Sequence, residues 1–174
     1  YSQGGRVALH VALAHPELVS LLVIVSASPG LSDPAERARR AQLEEERAQA
    51  LLSDGVDSFL DHWSSLPMFD GLQARGASWL LRDRARRRVH TASGLAAAVR
   101  GLGLSQQDDL MPRLGELQMP TLFVAGANDP TYVEHAFHMA SQAPRGVPVF
   151  LPRLGHAIVG QAPEALARVI GSGL

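Results

Sequence analysis

The sequence predicts an α/β fold in which a mostly parallel sheet carries an inserted helical lid. Three observations predict it. Short apolar runs, Leu21-Leu22-Val23-Ile24-Val25, Pro120-Thr121-Leu122-Phe123-Val124-Ala125-Gly126 and Val147-Pro148-Val149-Phe150-Leu151, suit strands buried on both faces. Helical periodicity precedes the first run and follows the other two. Residues 32–113 differ in character: they hold 12 of the 16 arginines and 12 of the 17 acidic residues, with no convincing strand. A charged, all-helical block between strands reads as an insertion.

Taken in order, Val7, Ala8, Val11, Ala12 and Ala14 recur at helical spacing after Gly4-Gly5. His15-Pro16 stops that helix, because proline disfavours the helical region for its predecessor. The first strand ends in the turn Ser26-Ala27-Ser28-Pro29-Gly30. Ser32 or Asp33 caps a helix over residues 34–52, with Pro34 in its first turn. Further lid helices are expected over residues 56–63, 72–89 and 93–102. The second strand leads into a loop with Asp129, then a helix over residues 132–143. The loop after the third strand carries Gly155-His156, and residues 163–170 form a closing helix. The lid is thus residues 31–112, and the core residues 1–30 with 113–174.

Bulk properties narrow the function. The 174 residues are 46% apolar and 19% charged, enough for a domain with a sizeable core. A net charge of −1 gives no strong field for nucleic acid or an anionic membrane. The basic residues are all arginine, which reads as a composition bias. Cysteine is absent, which excludes disulfides and thiolate metal sites and fits a cytoplasmic enzyme. No apolar stretch is long enough to span a bilayer, and no signal peptide is visible. No His/Asp/Glu cluster has metal-ligand spacing, so neither metal nor organic cofactor is expected. The chain opens on Tyr1, inside a motif; the strands before Ser2 are expected to lie outside it, and the isolated chain to be inactive.

Tyr1-Ser2-Gln3-Gly4-Gly5 matches the back half of a Gly-x-Ser-x-Gly turn. There a serine sits on a strained strand-to-helix turn, and small residues two positions away let backbone pass closely. The helix, expected from Gly4, would aim its positive end at the serine, and Gln3 would offer its backbone N–H to an oxyanion. Such a turn is common, Asn-Asp-Pro around Asp129 is ordinary turn chemistry, and the chain has other loop histidines. Serine, then aspartate, then histidine, the latter two just past buried strands, is the order that makes a catalytic triad of Ser2, Asp129 and His156. His156 would accept the serine proton and Asp129 would orient the imidazole.

These features resemble the α/β-hydrolase superfamily over the whole chain, as its C-terminal part. Several stretches are more specifically similar to the 2-succinyl-6-hydroxy-2,4-cyclohexadiene-1-carboxylate synthases of menaquinone biosynthesis. They are Tyr1-Ser2-Gln3-Gly4-Gly5-Arg6-Val7-Ala8, Ser26 to Leu31 with Glu36-Arg37-Ala38-x-Arg40, and Phe59-x-x-x-Trp63-x-x-Leu66-Pro67-x-Phe69. An arginine-rich segment through Arg88, and Gly94-Leu95-Ala96 running to Gly103, complete them. Where relatives usually read Gly-Thr-Gly-x-Gln-Pro, this chain has Gly103-Leu104-Ser105-Gln106-Gln107-Asp108.

The resemblance implies a carbon–oxygen lyase that eliminates pyruvate from a succinyl-bearing cyclohexene dicarboxylate, with Ser2 as base. A small polycarboxylate substrate wants guanidinium groups, which pair with carboxylates in a two-pronged, charge-assisted way. By resemblance Arg6, Arg40 and Arg88 are those groups, with Tyr1 and Trp63 lining the pocket; Arg86 or Arg87 could take the place of Arg88. Spacing alone also allows a solvated face, since Arg37, Arg39, Arg40 and Arg47 alternate with Glu36, Glu44, Glu45 and Glu46. Trp79 reads as lid packing. The alternatives are a hydrolase cleaving an ester or carbon–carbon bond through an acyl-enzyme, and a non-catalytic binding protein on the same fold.

Overall fold

Three parallel strands, β1 (Leu22–Val25), β2 (Thr121–Gly126) and β3 (Gly146–Leu151), lie in that order across one sheet. The computed structural model describes residues 1–172. Its helices are α1 (Ser2–Ala14), α2 (Pro34–Ser64), α3 (Ala77–Arg87), α4 (Ala92–Leu102), α5 (Pro130–Gln142), α6 (Ile158–Gln161) and α7 (Pro163–Ser172). They fall into two units. One is Tyr1–Pro29 with the stretch from Leu110 onward, and the other is Gly30–Asp109.

In the first unit β2 is buried along its whole length, because helices cover both faces of the sheet. Phe123 and Ala125 pack with Leu9 and Ala12 of α1 and Met139 of α5. Leu122 and Val124 point the other way, to Ile158 and Leu166. This two-sided burial is why the strand reads as an unbroken apolar run. Side chains such as Phe123 and Ile24, at most 1% exposed, each contribute about 1.5–3 kcal/mol of burial.

Glycines set two close approaches. A Cβ on Gly5 would come 2.8 Å from the Cβ of Ala27, so α1 lies against the residues after β1 only because Gly5 has no side chain. The sequence pointed to Gly4 for this role, yet within this chain nothing lies within 4 Å of a Cβ built there. At the end of β2, a Cβ on Gly126 would collide with the carbonyl oxygens of Leu154 and Gly155. The loop that carries His156 therefore crosses directly over Gly126.

Two boundaries differ from expectation. Helix α1 starts at Ser2, not Gly4, with the Gly5 N–H donating to the Tyr1 carbonyl at 3.2 Å. The single helix expected over residues 72–89 is a 3-10 stretch, Pro67–Arg75, followed by α3. The break is Gly76, at φ 79°, where the apolar pattern runs on but the backbone turns out of the helical region. Gly55, at φ 81°, likewise kinks α2 between the two helices expected there.

The second unit is held by α2 packing on α4, with Ala48, Leu51 and Ala96 as its buried centre. Two charged side chains of α2 fasten the segment after α4. Arg37 donates to the carbonyls of Leu31, Ser105 and Gln107. Glu44 is buried and accepts four bonds: from Arg40 Nε (2.6 Å), the Leu104 N–H (2.7 Å), the Ser105 N–H (3.2 Å) and the Ser105 hydroxyl (2.5 Å). Gly103 gives this carboxylate its space, since a Cβ there would strike Glu44. The segment that departs from the family sequence is thus the one that Arg37 and Glu44 grip.

Burial pushes the Glu44 carboxyl up, but hydrogen bonds from Arg40 and Ser105, the Arg40 charge and the Leu104 N–H together hold it below its ordinary value. A carboxyl lowered in the folded state stabilises above its unfolded pKa, and that contribution is lost as pH falls through the folded value. Glu44→Gln is expected to raise amide exchange at Leu104 and Ser105 near pH 7, by about 1–3 kcal/mol of lost protection. The gap from the parent should close on acidification; hydrogen exchange followed by NMR across pH 7 to 3 checks both.

Candidate active site

Each candidate catalytic side chain sits where a regular element begins or has just ended. Ser2 opens α1 with φ 48°, a left-handed conformation that costs a non-glycine residue about 1–3 kcal/mol. Asp129 follows β2 and precedes α5. Its side chain makes no cap bond to that helix, so its carboxylate is available elsewhere. His156 lies on the loop after β3, which turns through Arg153 at φ 61°.

These three side chains meet. His156 Nδ1 is 2.9 Å from Oδ2 of Asp129, and Nε2 is 3.3 Å from Oγ of Ser2. An ionised carboxylate can only accept, so the Nδ1–H donates to Asp129 and Nε2 is left to accept from the Ser2 hydroxyl. His156 is 2% exposed and Asp129 12%, so water competes little for either bond. A serine hydroxyl beside such an imidazole can surrender its proton, which is the requirement for either a nucleophile or a base.

The His156 loop is fastened from several directions. The Gly155 N–H donates to Oε1 of Gln161 at 2.8 Å, and the Asn128 N–H donates to the Leu154 carbonyl at 2.8 Å. Tyr132, in the first turn of α5, packs its ring 4.4 Å from the imidazole, and Tyr1 lies 5.5 Å away. The Gly126-x-x-Asp129 pattern is part of the superfamily resemblance, but sequence reasoning missed Tyr132 and Gln161. Tyr132 could have been found from its place one turn after Asp129, whereas the Gln161 contact depends on how the loop folds back.

Of the other residues proposed from sequence, Gln3 stands in the first turn of α1, where N–H groups lack intrahelical acceptors. Arg6 is half-buried one turn beyond Ser2, on the same side of α1. The remaining candidates belong to the second unit. Arg40 gives its Nε to Glu44. Trp63 is stacked on Phe59 at 5.5 Å and carries the Arg47 guanidinium over its ring at 5.4 Å. Arg88 is ion-paired with Asp57 at 2.8 Å, and Arg84 pairs with the same carboxylate. Arg87 pairs with Asp83. Trp79 carries Arg75 over its ring. Among the described residues no group of three or more His, Asp or Glu side chains could hold a metal ion, and no helix is long and apolar enough to cross a membrane.

The alpha/beta hydrolase fold family matches residues 1–158, most of the chain. The chain belongs to that family. It is also similar to 2-succinyl-6-hydroxy-2,4-cyclohexadiene-1-carboxylate synthase from Enterobacter sp. (strain 638), 29% identical over 96% of this chain and 62% of that protein. A pimeloyl-[acyl-carrier protein] methyl ester esterase from Nitrosomonas europaea is 31% identical, over 94% of this chain and 65% of that one. Among solved structures, MenH from S. aureus superposes with a TM-score of 0.95 at 31% identity, covering 99% of this chain and 65% of that chain. The chain therefore spans a little under two thirds of the length of each of these three relatives.

Gly126→Ala is expected to push the Leu154–Gly155 backbone away and break the Asp129–His156 bond, without touching either side chain. A low-field Nδ1 proton of His156 is expected by NMR in the parent; in the variant it should shift upfield or vanish, and the Gly155 amide should exchange faster. A spectrum unchanged at both positions would contradict the account of the loop.

Proposed function

We propose that the protein carrying this chain is a lyase that forms 2-succinyl-6-hydroxy-2,4-cyclohexadiene-1-carboxylate by eliminating pyruvate from a succinyl-bearing cyclohexene dicarboxylate. The observation that carries this reading is the TM-score of 0.95 to MenH together with similarity to a synthase of that name. The relay of Ser2, His156 and Asp129 supplies the chemistry.

In the proposed reaction Ser2 Oγ removes a ring proton while its own proton passes to His156 Nε2. The electrons of the broken C–H bond form a ring double bond, and the C–O bond to the leaving group breaks. The enolate that departs takes the proton from the imidazolium and becomes pyruvate. Asp129 offsets the positive charge on His156 while it holds that proton. The Gln3 N–H belongs to the proposed anion-stabilising group, and Tyr1, Arg6, Arg40, Trp63 and Arg88 to the proposed substrate site. Arg40 is the best prepared of these: with Nε on Glu44, its two terminal nitrogens have no protein partner among the described residues and form a fork for a carboxylate. Arg88 already pairs with Asp57, so a substrate would have to compete for it.

A second reading, an esterase working through an acyl-enzyme, is favoured by the similarity to the methyl ester esterase and by the strained conformation of Ser2. The two are separated by a pyruvate-release assay on the protein carrying this chain. Release is expected, with Ser2→Ala lowering kcat by roughly 10³-fold or more and Arg40→Ala raising KM by roughly tenfold. Turnover of p-nitrophenyl esters with no pyruvate released would instead establish the esterase.

A further inference from the structure

Helix α2 presents two arginines and one buried carboxylate along one face. Arg40, Glu44 and Arg47 are spaced four and three residues apart, so all three lie along one side of the helix. Glu44 is the acid among them, and its oxygens are already engaged by Arg40, Leu104 and Ser105. One turn before Arg40, Arg37 bonds to three backbone carbonyls, which hold its hydrogens but bring no negative charge.

Arg47 is the unusual member. Its residue is half-buried, yet among the described residues its guanidinium makes no hydrogen bond and no ion pair. It rests over the Trp63 ring at 5.4 Å, a contact that engages the face of the guanidinium and not its five N–H groups. Burial, and then the like charge of Arg40, lower its pKa from the ordinary guanidinium value, with Glu44 opposing them. At neutral pH the group stays charged. Alternation of Arg and Glu in the sequence reads as a solvated face; the structure instead gives a part-desolvated cation whose donors point to no acceptor. Its nitrogens are not among the buried polar atoms left without a partner, so water serves them, and the carboxylate of a bound anion would take the place of that water.

We infer that Arg47 is a carboxylate-binding residue of the lid, acting with the free fork of Arg40 on a small polycarboxylate beside Trp63. The inference rests on the reading of Arg40 as a substrate-carboxylate binder and extends it to a residue that the family resemblance did not single out. Trp63 would then serve as the platform on which Arg47 waits, preoriented and only weakly held. Two guanidiniums kept apart by mutual repulsion suit two anionic groups better than one.

Isothermal titration calorimetry tests this on the protein carrying this chain, in a Ser2→Ala background so that no turnover intervenes. The probes are phenylsuccinate, a dicarboxylate, and its uncharged diamide. The parent is expected to bind the diacid and not the diamide. Arg47→Met should weaken the diacid by roughly ten- to a hundredfold, and Arg47→Lys, which keeps the charge but loses the fork, should fall between them. Diacid affinity unchanged in Arg47→Met, or a parent that does not distinguish diacid from diamide, overturns the inference. If Arg47→Met melts early, the Lys variant decides by the same comparison. The assay needs no catalysis, so absent pyruvate release with diacid binding intact would remove the lyase reading and leave the role of Arg47 standing.

Discussion

The chemistry available to this chain depends on one imidazole being fixed at both of its nitrogens. His156 is buried, donates to Asp129 from one side and faces Ser2 with the other. A histidine free to rotate could keep one of these contacts but not both. The surrounding structure is arranged to prevent that rotation: the ring lies against Tyr132, and the loop behind it is pressed onto Gly126 and tied to Gln161. The sheet beneath supplies the rigid frame, because β2 and β3 stay in register from Thr121 and Gly146 to Gly126 and Leu151. Both loops therefore leave from the same, C-terminal, end of the parallel strands.

The second unit obeys a different constraint. Its helices carry few fully buried apolar side chains, and much of its order comes from charged groups that reach backbone. After α4, Glu44 takes the first N–H groups of the 3-10 turn Leu104–Gln106, and Arg37 takes the carbonyls of Ser105 and Gln107. Such a buried carboxylate is stable only while every oxygen lone pair is used. The same bonds keep Arg40 in one orientation. Structure and proposed binding are therefore joined at one side chain, since Glu44 holds Arg40 in the orientation that the proposed carboxylate would meet.

Much of this was legible in the sequence, for physical reasons. The strands show as apolar runs because both faces of the sheet are covered, and Asp129 and His156 stand out because each follows such a run. The boundaries of α1 and α3 were not legible. At Ser2 the helix begins on a residue in a strained conformation, and at Gly76 the apolar spacing continues through a backbone break. Charge patterns misled most. Glu44 and Arg47 sit in a run of alternating charges that looks solvated throughout, yet one is buried and the other half-buried. Periodicity reveals which residues share a face, but not whether a second helix or an aromatic ring covers it. The contact of Tyr132 with His156 is of the same kind, since it exists only once α5 has packed.

The central claim is that the strained serine serves as a base and not as an acyl carrier. Intact-protein mass spectrometry on reaction mixtures quenched during the first turnovers addresses it most directly. The account predicts that pyruvate accumulates while the protein mass stays that of the unmodified chain. A stoichiometric mass increase that maps to Ser2 and decays as product appears would contradict it.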